Sequence, residues 1–162
     1  MRNKASALAL ILVLCTLFST LVGCSLLEPE DKTFSKAGMS ITLTDEFSEQ
    51  ELVTQTAYYV STKAVVTVLK EDGSTIADYT VKEYAELVCT VNALDDSDVV
   101  EGDGYAEFTY EEELSGKEYF YYARCFKTGT DFWMFQFACE TKNTEDFLDT
   151  FKQWASTVTF ES

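Results

Sequence analysis

The chain of 162 residues carries 12 Lys and Arg against 28 Asp and Glu, contains no His, and is 46% hydrophobic and 14% aromatic. This aromatic content is typical of a protein with a packed core and argues against a disordered chain. The net charge of −16 repels phosphate backbones, which argues against nucleic acid as a partner. It also disfavours direct docking onto anionic lipid headgroups.

The first 24 residues have the three parts of a secretory signal. Arg2 and Lys4 form a positive start, an uncharged and mostly apolar stretch runs from Ala5 to Val22, and Gly23 and Cys24 follow. Positive charge stays on the cytoplasmic side while the apolar stretch enters the membrane, so the pattern predicts an exported body. An uncleaved transmembrane helix over 5–23 is the alternative, and it too places the body outside the cytoplasm.

The end of this segment, Leu21-Val22-Gly23-Cys24, resembles the bacterial lipobox, in which an aliphatic residue, a small or short residue and Gly or Ala precede an obligatory Cys. The resemblance implies that the Cys24 thiol receives a diacylglycerol and that a signal peptidase cleaves between Gly23 and Cys24. Two acyl chains make a durable anchor, since each buried methylene contributes about 0.8 kcal/mol. The expected location is the outer side of the cytoplasmic membrane, or an outer membrane where the cell has one.

Cleavage would leave 139 residues, because 23 are removed from 162. They carry 10 Lys and Arg against 28 Asp and Glu, and 10 minus 28 gives a formal charge of −18. This length suits a single domain. The predicted organisation is a signal peptide over 1–23, a lipidated tether over 24–33 that contains the only proline, and one domain over 34–162.

In the body, alternating apolar residues predict a strand over Gly38–Leu43. Two β-rich runs, 55–60 and 64–70, predict a hairpin that ends at Asp72 and Gly73.

Two helices are predicted. The first covers 80–94, because Thr80 and Glu83 have the spacing of a capping box. The second covers 145–155, with Asn143 or Thr144 as its cap. The predicted apolar faces are Tyr84, Leu87, Val88 and Val91 on the first helix, and Phe147, Leu148, Phe151 and Trp154 on the second.

Three further strands are predicted between the helices, over 105–111, 119–126 and 132–139, with turns at Ser115-Gly116 and Thr128-Gly129. The first turn sets Tyr110 opposite Tyr121 and Phe108 opposite Ala123. The second, placed near Gly129, sets Cys125 opposite Trp133, Ala123 opposite Phe135 and Tyr121 opposite Phe137. One face then collects Phe108, Tyr110, Tyr121, Trp133, Phe135 and Phe137, and the other collects Phe120, Tyr122, Phe126, Phe132 and Met134.

Both faces of this meander are therefore apolar, whereas a sheet with one wet face alternates more cleanly. The predicted fold class is α+β: an α/β/α sandwich around a central antiparallel sheet, with a helix on each face.

Cys15 lies in the expected signal peptide, and Cys89, Cys125 and Cys139 lie in the body. The register above places Cys125 and Cys139 on one face, with Cys139 opposite Tyr119. At about 3.4 Å per residue they lie roughly 20 Å apart, so no disulfide is expected between them. Cys89 could meet either one only if the first helix covers that face, and this remains open.

The order of elements resembles the PsbP-like superfamily, which includes DcrB-type bacterial lipoproteins. The resemblance rests on the opening strand FSKAGMSITL with the following Asp45, Glu46 and Phe47, on the helix with Tyr84, on Gly116-Lys117 before an aromatic strand, and on the closing segment 147–160. It implies an α/β/α sandwich and a binding or assembly-assisting role, and it transfers no catalytic or ligand residue.

For function, the sequence favours a non-catalytic binding or accessory module with a protein or small-molecule partner, because it lacks His, GxSxG, GxGxxG and P-loop motifs. A hydrolase with paired carboxylates is an alternative, although abundant acids make such pairs common by chance. Calcium binding by the loop 95–104 is another, although its spacing is not that of an EF-hand. The aromatic run 119–126 could form a carbohydrate platform, but core packing explains it better. No cofactor or metal ligand is predicted.

Overall fold

The computed structural model of the chain describes residues 28–94 and 98–161. The predicted anchor residues Leu21, Val22, Gly23 and Cys24 lie outside them. The described strands, in chain order, are β1 (Asp31–Lys36), β2 (Met39–Thr44), β3 (Ser48–Gln50), β4 (Ala57–Val60), β5 (Ala64–Asp72), β6 (Val100–Glu101), β7 (Tyr105–Leu114), β8 (Lys117–Thr128), β9 (Asp131–Glu140) and β10 (Thr159–Phe160). The described α-helices are α1 (Val81–Val91) and α2 (Thr144–Ser156), and 3-10 turns cover Ser74–Ile76 and Thr141–Asn143.

The central sheet is antiparallel throughout and has the order β3-β4-β5-β9-β8-β7-β6. The predicted hairpin of β4 and β5 and the predicted meander of β7, β8 and β9 are both confirmed. The two meet where β5 pairs with β9 over nine residues, from Ala64 opposite Cys139 to Asp72 opposite Asp131. Residues 59 to 75 positions apart in the chain thus become neighbours at the centre of the sheet.

Each face of this sheet is covered, which confirms the predicted α+β fold with helices on both sides. Helix α1 lies on one face, and α2 lies on the other together with a second sheet of order β1-β2-β10. The α1-side core includes Tyr84, Val88, Cys89, Ala106, Phe108, Tyr110, Tyr121, Cys125, Phe132 and Met134. The α2-side core includes Phe34, Met39, Ile41, Leu43, Tyr59, Val66, Phe120, Tyr122, Trp133, Phe135, Phe137 and Phe151.

The predicted capping box at the start of α1 is confirmed. The Thr80 hydroxyl accepts a hydrogen bond from the Glu83 backbone N–H at 3.2 Å, and the Glu83 carboxylate accepts one from the Thr80 backbone N–H at 2.7 Å. The hydrogen bonds from Thr80 lower the pKa of Glu83. Helix α1 ends at Val91, three residues before the predicted end, and Ala93 has a φ of +55°.

The predicted apolar face of α1 is wrong in part. Tyr84 and Val88 are buried as expected, but Val91 is 48% exposed, and Ala85 and Cys89 complete the buried face instead. Small side chains one turn apart let the helix approach the sheet closely, and this rotates its buried face away from Val91.

Helix α2 has the predicted apolar side chains against the sheet. Asn143, one of the two predicted caps, is the N-cap residue, but its side chain makes no cap hydrogen bond. The chain enters α2 from a 3-10 turn, so Asn143 has a ψ of 5° and not the extended backbone of a capping residue. The Thr144 hydroxyl donates instead to the Thr141 carbonyl at 2.8 Å.

The register predicted for β7 and β8 is confirmed, whereas the one predicted for β8 and β9 is wrong by one residue. Tyr110 does lie opposite Tyr121, but Cys125 lies opposite Met134 and not Trp133. The second turn has two central residues, Gly129 and Thr130, with Gly129 at a φ of +59°, whereas the predicted register centres the turn on Gly129 alone.

This slip moves every β9 side chain to the other face, because side chains alternate along a strand. Trp133, Phe135 and Phe137 face α2, whereas the prediction placed them with Phe108 and Tyr110 on the α1 side. Phe132 and Met134 face α1, whereas the prediction placed them on the α2 side with Phe120 and Tyr122.

The first strand, β1, begins at Asp31, ahead of the predicted domain start at Phe34, and forms a hairpin with β2. The pairing of Asp31 with Thr44 therefore extends the folded structure into the segment predicted as a tether. Within the described residues, no helix has the length and apolar character needed to cross a bilayer.

Replacing Thr80 with Ala removes the hydroxyl half of the capping box and should lower the free energy of unfolding by about 1 kcal/mol. The matched control is Thr90→Ala on the same helix, whose hydroxyl donates only to the Glu86 carbonyl one turn earlier. Urea unfolding followed by circular dichroism measures both variants. Equal midpoints for the two variants would contradict a stabilising cap.

Candidate functional site

The structure describes the predicted calcium loop 95–104 from Asp98 onward. The described part forms strand β6 and the turn that follows it. Glu101 belongs to β6, and the Gly102 N–H donates to the Tyr105 carbonyl at 2.9 Å. A Cβ on Gly102 would lie 2.1 Å from the Tyr105 ring, so glycine is needed there for packing. Over the described ranges, no group of three or more His, Cys, Asp and Glu side chains is placed to hold a metal ion.

The aromatic run 119–126 is core and not a binding platform. Tyr119, Phe120, Tyr121 and Tyr122 are each less than 10% exposed. The large apolar side chains that are exposed in the described part of the chain are Val53, Tyr79, Val91 and Val100, of which one is aromatic. A carbohydrate platform needs exposed aromatic faces, so this strand does not supply one.

An ion pair that the sequence analysis missed lies on the α2 side of β7 and β8. The buried Arg124 guanidinium donates to the Glu107 carboxylate through Nη2 at 2.8 Å and through Nε at 3.1 Å. Its Nε also lies 2.8 Å from the Tyr122 hydroxyl, which donates to the same carboxylate. The guanidinium carbon lies 4.1 Å from the centre of the Tyr105 ring.

The interactions in this cluster stabilise the fold. Burial and the hydrogen bond to Glu107 raise the pKa of Tyr122, so its hydroxyl stays protonated and remains a donor. Glu107 in turn balances the Arg124 charge. A signal for the pair was present in the sequence, because the confirmed register of β7 and β8 sets Glu107 directly opposite Arg124.

A cavity of about 340 Å³ lies where β5 ends, and its wall includes Glu71, Asp72, Tyr84 and Phe132. The Tyr84 hydroxyl donates to the Glu71 carboxylate, and its ring stacks on Phe132 with centroids 4.4 Å apart. Burial raises the pKa of Tyr84. The cavity offers carboxylate acceptors beside an aromatic wall, which suits a ligand with hydrogen-bond donors.

Gly73 shapes this cavity. A Cβ at this position would lie 2.2 Å from the Thr130 carbonyl oxygen and 2.6 Å from the Phe132 ring. The turn after β5 therefore packs directly on the turn before β9. Sequence reasoning identified Gly73 as a strand terminator but could not place it against a segment more than 50 residues later.

The three described cysteines are free and buried. Cys125 lies on the α1 side and Cys139 on the α2 side, because Cys139 lies opposite Phe120 and not Tyr119 as predicted. The expected absence of a bond between them is confirmed, but the reason is that they occupy opposite faces. Burial raises the pKa of Cys89 and of Cys139 to about 11, so both remain thiols at neutral pH.

Comparison with known proteins identifies solved structures that share this fold. No family sequence model matches the chain, and neither does any curated protein sequence. Similar solved structures include a protein from Bacteroides thetaiotaomicron VPI-5482, with a TM-score of 0.60 and 13% identity over 81% of this chain and 48% of that one. The chain spans about half the length of that protein.

Two further structures match over nearly their whole length. The cyanobacterial PsbP of Synechocystis sp. PCC 6803 has a TM-score of 0.56 and 10% identity over 88% of this chain and 98% of that one. The Ran-binding protein Mog1p of Saccharomyces cerevisiae has a TM-score of 0.57 and 9% identity over 82% of this chain and 96% of that one. At these identities the similarity shows a shared fold and no more than that, and it agrees with the predicted α+β fold class.

Removing the Glu107 carboxylate leaves the buried Arg124 charge without its counter-ion. Glu107→Ala should lower the free energy of unfolding by about 3 kcal/mol. The control Glu111→Ala, an exposed glutamate on the same strand, should change it by less than about 0.5 kcal/mol. The double variant Glu107→Leu/Arg124→Met, which removes both charges, should recover most of the loss. Urea titration measures all three, and a Glu107→Ala variant as stable as its control would contradict the role of the pair.

Proposed function

We propose that the protein is an extracytoplasmic lipoprotein, anchored through acyl chains on Cys24, whose body is a non-catalytic binding or accessory module. The observation that carries the anchor is the run Leu21-Val22-Gly23-Cys24 at the end of an uncharged apolar stretch. A body of charge −18 would gain nothing from anionic headgroups, so a covalent anchor supplies the membrane affinity that its surface lacks.

The binding role is supported by what the folded part contains. Two groups of polar side chains in the sheet bind one another: Arg124 with Glu107 and Tyr122, and Gln136 with Tyr110 and Thr67. None of these groups is an activated nucleophile, and the chain has no His to serve as a general base. The fold is shared with the Ran-binding protein Mog1p, which is in keeping with a binding role for this architecture.

Two Ser substitutions test the anchor. Cys24→Ser should abolish incorporation of labelled palmitate, because the hydroxyl cannot accept the diacylglycerol, and the precursor should stay uncleaved or be shed. Cys15→Ser, in the expected signal peptide, is the matched control and should leave labelling unchanged. Label retained on Cys24→Ser, or lost equally in both variants, would contradict lipid attachment at Cys24.

The binding role is tested by photo-crosslinking on intact cells. A photoreactive amino acid at Val53, Val91 or Val100, which are 103%, 48% and 57% exposed, should disturb the core little while probing three different elements. A binding module should give a discrete adduct from the surface that meets its partner and none from the others. Absence of an adduct at all three positions, with the protein present at the cell surface, would count against a protein partner.

A further inference from the structure

The outer edge of β7 is open at its C-terminal end in the described part of the chain. Strand β6 pairs only with Ala106 and Glu107, and no described strand neighbours β7 from Glu111 to Leu114. That stretch is about 14 Å long at the rise of an antiparallel strand. An unpaired edge of this length is a template for another strand.

The direction of the backbone groups follows from the ladder. The Tyr105 carbonyl accepts from Gly102 on the outer side of β7, and Leu114 opposite Lys117 closes the two-residue turn to β8. Backbone groups alternate in direction along a strand, so those of Glu111 and Glu113 point to the open edge. Both residues are exposed. Each offers one N–H donor and one carbonyl acceptor.

Unneutralised negative charge surrounds these groups. Glu111, Glu112, Glu113 and Glu118 make no ion pair within the described ranges. Glu113 lies directly opposite Glu118 in a pair without backbone hydrogen bonds, the arrangement that brings facing side chains closest. Like charges in this position repel, so the hairpin end carries an unfavourable interaction that a cation would relieve.

The negative charges of these glutamates determine what kind of strand can pair with the open edge of β7. A second copy of β7 would place glutamates against glutamates, which disfavours self-pairing. We propose that this edge binds an extended segment of a partner protein with Lys or Arg at alternate positions, as an added antiparallel strand. Side chains two residues apart on the segment would then face Glu111 and Glu113, while its backbone pairs with theirs. The inference rests on the proposed binding role and assigns a partner class to it.

The test uses the lipidated protein in neutral phosphatidylcholine nanodiscs and a fluorescent nine-residue peptide of alternating Thr and Lys. The Lys peptide should bind and should slow amide hydrogen exchange at Glu111 and Glu113, while a peptide with Glu in place of Lys should not. Glu111→Lys/Glu113→Lys should weaken the Lys peptide by about tenfold and favour the Glu peptide. The control Glu46→Lys/Asp149→Lys has the same change in net charge at two exposed acids away from the edge.

Backbone methylation separates strand pairing from simple charge attraction. In the proposed pairing, a Lys opposite Glu111 turns its N–H toward the edge, while the N–H groups of the Thr residues point away. Methylating the Lys amides should therefore abolish binding, and methylating the Thr amides should not. Equal effects of the two methylations, equal weakening in both charge variants, or no protection at Glu111 and Glu113 would overturn the assignment. Lipid labelling and an adduct on cells would remain intact in that event, so the proposed function can survive the failure of this edge.

Discussion

The constraint on which the architecture depends is that β8 and β9 are buried on both faces. Phe120, Tyr122, Trp133 and Phe135 face one layer, while Tyr121, Cys125, Phe132 and Met134 face the other. A sheet with two apolar faces is stable in water only if both are covered. Helix α2 and the small three-stranded sheet cover the first face, and helix α1 covers the second. Polar groups caught between these layers must find partners there, which is why Arg124 occurs with Glu107.

How much of this could be predicted depended on how far apart the interacting residues lie in the chain. The capping box of Thr80 and Glu83 involves three residues of separation and was readable. The turn predicted at Ser115 and Gly116 is confirmed. Both residues have the left-handed backbone of a two-residue hairpin, with φ of +54° and +79°. The second turn has two central residues, Gly129 and Thr130, whereas the predicted register centres the turn on Gly129 alone. The sequence pattern does not fix the number of residues in the turn, and one residue of error exchanges the faces of β9.

The pairing between β5 and β9 could not be predicted from the sequence, for a different reason. Alternation of apolar residues shows that Val66 and Phe135 belong to strands, but it carries no information about which strands are neighbours. The cavity at Gly73 depends on that pairing and on the placement of α1, so it could not be foreseen either. Within the candidate sites, the resemblance of Leu21-Val22-Gly23-Cys24 to a lipobox lies in four consecutive residues, so the sequence alone predicts it, and lipid attachment stays a prediction. The ion pair of Glu107 and Arg124 follows from the register of β7 and β8 but was not predicted.

The early start of β1 has a geometric consequence for the proposed anchor. From Cys24 to Asp31 the chain advances seven residues, which at full extension spans about 25 Å. With the proposed anchor in place, the body would stay within a thin layer next to the lipid surface, and a partner in the same membrane would be present at a high effective concentration. Contacts too weak to persist between freely diffusing proteins would then suffice, and the choice of partner would be set as much by membrane residence as by intrinsic affinity.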